Sequence, residues 1–169
     1  MADPTSTNRS LIAVLVLSAA GLVGITVDES YTSRAIPDPV KGTAVPTIGF
    51  GSTTGVHMGD TTTPPKALKR MLTDVQKFEG ALKRCVKVPL HQYEYDAYIN
   101  LAYNIGGGAF CDSTLVKRLN AQDYPGACEA ILNWRFVGDV DCSATGNKQC
   151  PGLWARRQRL HRQCLGVAQ

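Results

Sequence analysis

Leu11 to Val27 (LIAVLVLSAAGLVGITV) is apolar and uncharged, with Arg9 before it and Asp28 and Glu29 after it. As one helix rising 1.5 Å per residue it would span about 26 Å, the lower edge of what crosses a bilayer. Ala13, Ser18, Ala19, Ala20, Gly21, Gly24 and Thr26 dilute the run, so its hold on lipid is expected to be weak. Arg9 biases the amino end toward the cytoplasm, which would place everything after Val27 outside. Residues 1–27 are therefore read as an uncleaved, weakly hydrophobic export or anchor helix, and residues 28–169 as the domain it carries. Two other readings stay open: a signal peptide cleaved at Ser18-Ala19-Ala20, and a core helix of the folded domain. All three leave Glu29 in the mature protein.

Beyond Glu29 the pattern changes. From Arg34 to Gly59 the chain is rich in Pro, Gly and Thr, and Thr47 to Gly55 reads as short strand and turn. Thr63-Pro64 opens a helix on which Leu68, Met71, Leu72, Val75, Phe78 and Leu82 recur at helical spacing, predicted to link two lobes. A second helix follows Pro89, carries Ala97, Leu101 and Ala102, and should stop at Gly106-Gly107-Gly108. Ser113 is predicted to cap a helix from Thr114 to Asn120, and Asp123 one from Tyr124 to Trp134. A basic amphipathic helix closes the chain from about Leu153 to Leu165. The resulting class is α+β, bilobed, with a small β lobe ahead of a larger helical lobe.

The chain has 169 residues, enough for one domain with its own core. Its formal charge of +4 favours an anionic partner, and the basic residues gather in Arg156 to Arg162. That run is read first as a solvated face of the last helix. Nucleic acid is not expected as a partner, because no stacking platform, zinc-finger spacing or helix-turn-helix signature accompanies the basic residues. Cys85, Cys111, Cys128, Cys142, Cys150 and Cys164 form no C-x-x-C pair and have no histidine at ligand spacing, which excludes a zinc motif and favours disulfides in an oxidising compartment. Cys142 and Cys150 bracket a short polar loop and are the preferred pair; Cys111 with Cys128 is a second candidate, leaving Cys85 with Cys164. His57, His91 and His161 stand apart and are read as surface or packing residues.

Two carboxyl groups are candidates for chemistry. Glycoside hydrolysis needs one carboxylic acid to protonate the leaving oxygen and a second carboxylate to steady the transition state or activate water. Glu29 follows an apolar segment, the setting of a general acid. Asp38 lies between Pro37 and Pro39, a rigid and non-helical frame. Taken alone, such residues are as a rule helix-end and turn residues.

The order Glu29, Asp38, Thr47-Ile48-Gly49-Phe50-Gly51 closely resembles the Glu, Asp, Thr-Ile-Gly-Tyr-Gly motif of phage-type lysozymes (glycoside hydrolase family 24). The resemblance continues through Val88 to Ala97, Tyr103-Asn104-Ile105-Gly106, Ser113-Thr114-Leu115, Trp134 and Pro151-Gly152-Leu153 with Arg156-Arg157. With the apolar segment ahead of it, the chain is similar to signal-arrest-release endolysins. The resemblance implies a lysozyme-like fold and a glycan cleft between the lobes, with Asn104 and Gly106 near it. It implies cleavage of the β-1,4 bond between N-acetylmuramic acid and N-acetylglucosamine in bacterial peptidoglycan, leading to host cell lysis. Glu29 is implied as general acid, with Asp38 and Thr47 placing or activating the attacking water in an inverting reaction.

No cofactor and no metal are implied. The expected state is a monomer, tethered to the inner membrane before release and soluble in the periplasm afterwards. Three positions depart from the family pattern: Ser30 stands where Gly follows the acid, Ile36 where a Tyr often stands, and Ser52 where a His follows the second Gly. Asp38 to Thr47 is longer than in the shortest members, which suggests an extra loop through Lys41-Gly42-Thr43-Ala44. The competing functions are a lytic transglycosylase, which needs a single acid, and a non-catalytic protein that perturbs wall or membrane.

Overall fold

The computed structural model describes residues 8–38 and 42–167. The first turn is a 3-10 helix at Ile12–Val14, followed by helix α1 (Ala19–Glu29), strands β1 (Thr32–Asp38) and β2 (Gly42–Gly49), and helix α2 (Pro64–Cys85). Helices α3 (Gln92–Ile105), α4 (Gly107–Cys111), α5 (Thr114–Asn120) and α6 (Tyr124–Glu129) come next. A second 3-10 turn (Ala130–Asn133) leads to strands β3 (Phe136–Val137) and β4 (Val140–Asp141), and α7 (Pro151–Cys164) closes the chain. Two compact units result: Met1–Gly21 with Phe78–Gln169, and Leu22–Lys77.

The apolar run Leu11–Val27 is not one helix. Ser18 divides it: its Oγ accepts from the Gly21 amide at 3.0 Å and so starts α1 at Ala19, as an N-cap does. Within α1, Ile25 is fully buried while Val23 and Val27 are exposed, as are Leu11, Val14 and Val16 ahead of it. No helix of the described residues is long and apolar enough to cross a membrane.

Within Leu22–Lys77, β1 and β2 form an antiparallel hairpin, with Ala35, Ile48 and Val56 as a small core cluster. Its register shifts twice: Thr32 pairs with Gly49, Ile36 with Thr47, and Asp38 with Gly42. A regular ladder would set Asp38 opposite Val45. Pro37 and Pro46 have no N–H to contribute, so the ladder cannot run evenly past them. The extra loop expected through Ala44 is a correction: Gly42, Thr43 and Ala44 open β2, while Lys41, like Pro39, lies outside the described residues.

In the other unit α3 is the central element. Every residue from Glu94 to Ala102 is buried, which is how a helix surrounded by protein reads, and it packs against α4 and α7. Gly106, at φ 91°, ends α3 and at once caps α4, so the glycine run expected as a stop is a corner between two helices. Ser113 and Asp123 cap α5 and α6 as the sequence predicts, accepting from Val116 N and Gly126 N, but α6 ends at Glu129 and tightens into the 3-10 turn instead of running to Trp134. The hairpin β3–β4 had no counterpart in the sequence pattern, since strands of two residues leave no periodicity to read.

Cys142 pairs with Cys150, as preferred from the sequence. The other two pairings are corrected: Cys85 joins Cys111, and Cys128 joins Cys164, each pair with Cα atoms 5.6 Å apart. The corner at Gly106 turns α4 so that Cys111 meets the end of α2 rather than the following helices, and Cys128 on α6 is left facing the end of α7. The basic run is corrected as well. Arg156 and Arg157 are buried rather than solvated, 6% and 2% exposed.

Candidate active site

Glu29 is the last residue of α1, and Ser30 after it takes φ 57°, the left-handed turn that ends a helix and redirects the chain into β1. Thr47 lies on β2 opposite Ile36, and Asp38 closes β1 opposite Gly42. All three side chains are half-buried. Between Ile48 and Ser52 the backbone makes a tight turn, closed by two hydrogen bonds of 3.0 and 3.1 Å.

Gly49 and Gly51 on this turn both have positive φ, 68° and 79°. A methyl group at Gly49 would come within 2.8 Å of Ala67 Cβ on α2, and one at Gly51 within 2.8 Å of Glu29 Oε2. Two physical reasons for glycine therefore coincide at each position: backbone conformation and close approach. The carboxyl group of Glu29 lies directly over Gly51, so Glu29 and the Thr47–Gly51 segment are brought together. Asp38 stands opposite Gly42, at the end of the hairpin away from the Thr32–Gly49 pair.

Behind the turn lies a network that the sequence reading missed. Ser52, 2% exposed, donates from Oγ to Asp74 Oδ2 at 2.7 Å. Asp74 Oδ1 in turn accepts from Lys77 Nζ at 2.9 Å. Tyr31, two residues beyond Glu29, packs against Phe50 with ring centroids 5.4 Å apart and donates its hydroxyl to Thr62 O. The signal for the network was present only in part: Ser52 was recognisable as a departure from the family motif, but nothing marked Asp74 among the polar residues of α2.

In the other unit, Asn104 accepts from a terminal nitrogen of Arg157, whose Nε donates to Trp134 O at 2.7 Å. Arg156 donates twice to Asn100 Oδ1, at 3.1 and 2.8 Å. The paired arginines thus serve the interior, tying α7 to α3. His91 caps α3 in a capping box with Glu94, His161 Nε2 lies 2.9 Å from Glu129 Oε1, and His57 is exposed, in keeping with packing and surface roles. Among the described residues no group of His, Cys, Asp or Glu could hold a metal ion.

The phage lysozyme family profile matches residues 27–159. The chain belongs to the phage lysozyme family. The endolysin of Salmonella phage P22 is 34% identical over 130 residues, covering 74% of this chain and 87% of that protein. The SAR-endolysin of Pseudomonas phage phiKMV is 34% identical over 154 residues, covering 90% and 89%. Among solved structures, the endolysin from Escherichia coli O157:H7 phage FAHEc1 superposes with a TM-score of 0.75 at 34% identity, covering 92% of this chain and 96% of that one. As a phage lysozyme, the protein is a glycoside hydrolase of the bacterial cell wall, with the mixed fold of helices and a small sheet that these relatives share.

Proposed function

We propose that Glu29 is the general acid of this lysozyme, and that Asp38 and Thr47 place and activate the attacking water. The bond cleaved is the β-1,4 linkage between N-acetylmuramic acid and N-acetylglucosamine. The observation that carries this reading is the seat of the Glu29 carboxyl group at the end of α1, over a glycine whose missing side chain makes room for it. An acid must be held in one place to meet a leaving oxygen, and a helix end closed by a rigid turn does that. Thr47 is part of the same segment, and Asp38, on the strand paired with it, is proposed as the second carboxylate that the reaction needs. The protein is expected to act as a monomer and to invert the configuration at the anomeric carbon.

Glu29→Gln keeps the shape of the side chain and removes the transferable proton. Clearing of wall suspensions should fall by about 10²–10⁴ while the thermal melting curve stays near that of the wild type. Purified Glu29→Gln protein that cleared walls at close to the wild-type rate would falsify the assignment. The products should carry reducing ends; 1,6-anhydro ends would indicate a transglycosylase.

Residues 1–27 are further proposed to carry the domain across the inner membrane as a weak tether, from which it is released into the periplasm. The naming of the phiKMV relative as a SAR-endolysin supports this, as does the apolar, uncharged run itself. Ala13 and Ala20 are exposed in the folded protein, so changing both to Leu adds apolar surface without disturbing packing. Cells expressing the double variant should retain more protein in the membrane fraction and lyse later. Strong membrane retention combined with lysis on the wild-type schedule would refute control by the tether.

A further inference from the structure

The Gly49–Gly51 turn beneath Glu29 is held from behind by α2. Ala67 Cβ fits against Gly49, Arg70 donates to Thr54 O, and Asp74 accepts from Ser52, whose backbone closes the turn with Ile48. Ser52 is the one side chain of this set that belongs to the turn and is fully buried. A buried hydroxyl given to a carboxylate fixes both groups more firmly than a neutral pair would, since a charge-assisted hydrogen bond is roughly twice as strong. Lys77 balances the Asp74 charge from the solvent side, which allows that carboxylate to sit behind the turn at all.

We propose that Ser52 and Asp74 are a positioning pair for the lysozyme reaction: their hydrogen bond sets the height of Gly51 and so the place of the Glu29 carboxyl group. The proposal rests on Glu29 being the acid. Neither residue touches the reacting atoms. Their effect passes through one residue, because Gly51 precedes Ser52 directly and has no side chain to absorb a shift. A displaced turn would leave the glycan bound as before but the proton donor out of line. The consequence belongs to kcat rather than KM.

The test is steady-state hydrolysis of purified peptidoglycan by Ser52→Ala, Ser52→Thr and Asp74→Asn, assayed well below each protein's melting temperature, with Glu29→Gln alongside. Ser52→Ala should lower kcat by about tenfold with KM within about twofold of the wild type, and Ser52→Thr, which restores the hydroxyl, should recover most of it. Asp74→Asn should lower kcat in the same direction, and it carries the test if Ser52→Ala does not fold. Unchanged kcat in Ser52→Ala or Asp74→Asn, with only a lower melting temperature, would overturn the proposal and leave a structural bond. So would a kcat loss in Ser52→Ala that Ser52→Thr does not recover. An active Glu29→Gln protein would instead remove the reading of the acid itself, so the two failures are distinguishable.

Discussion

Ser30 holds a left-handed backbone conformation that costs an L-residue with a side chain roughly 1–2 kcal/mol and costs glycine almost nothing. Ser30→Gly is therefore expected to stabilise the protein by about 1 kcal/mol, read as a higher urea midpoint with an unchanged slope. Gly51 makes the opposite case. An alanine there would be strained by φ 79° and pressed against Glu29 Oε2, so Gly51→Ala should lower both stability and wall-clearing activity, the activity by about tenfold or more. Activity at the wild-type level in a folded Gly51→Ala protein would show that the Glu29 carboxyl group tolerates displacement. The sequence marks both positions, Ser30 as a departure and Gly51 as a motif member. Only the fold supplies the reason, because φ and a 2.8 Å approach are properties of the folded chain.

At the level of elements, caps and the short Cys142–Cys150 bond were legible, and the two long-range disulfides were not. Ser113 and Asp123 act on amides three residues ahead, a relation the sequence contains in full. The bond from Cys85 to Cys111 depends on where the corner at Gly106 sends α4, which no local pattern encodes. Cys85→Ser with Cys111→Ser should cost about 3 kcal/mol in denaturant unfolding, given the loop the bond closes; a loss near zero would mean that helix packing alone holds α4. The β3–β4 hairpin offers a pH test. Asp141 accepts from the Ser143 hydroxyl and amide, with Arg135 beside it, and these hold its carboxyl below the usual range. A group whose folded value is lowered contributes stability above its unfolded value and loses it as pH falls through the folded one. Asp141 should therefore titrate below the exposed aspartates by NMR, and the hairpin should loosen only in strong acid.

For the molecule as a whole, the amino segment matters in a way its hydropathy does not suggest. Arg9 donates to both oxygens of buried Glu94 at 3.1 and 2.9 Å and lies 3.6 Å over the Tyr124 ring. Ser10 and Leu90 exchange backbone hydrogen bonds. Leu17 N donates to Glu79 at 2.7 Å, and Ser18 donates from its amide and hydroxyl to Asp96 at 3.0 and 2.6 Å. Removing residues 1–20, as cleavage after Ala20 would, strips partners from three carboxylates. The shortened protein should lose about 3 kcal/mol or more, with a clearly lower melting temperature. Equal melting of the two forms would favour a cleaved signal peptide.

The family, helices α2, α3, α5 and α7, and the caps at Ser113 and Asp123 follow from the sequence by itself. Each rests on local periodicity, capping chemistry or a contiguous motif. What the tertiary structure decided is of another kind: the shifted register that carries Asp38 to Gly42, two of three disulfides, the burial of Arg156 and Arg157, and the Ser52–Asp74 bond behind the turn. Apart from the Asp38–Gly42 pair, which the hairpin register sets, these join residues far apart in the chain. Their partners are chosen by packing geometry, which a one-dimensional pattern does not contain.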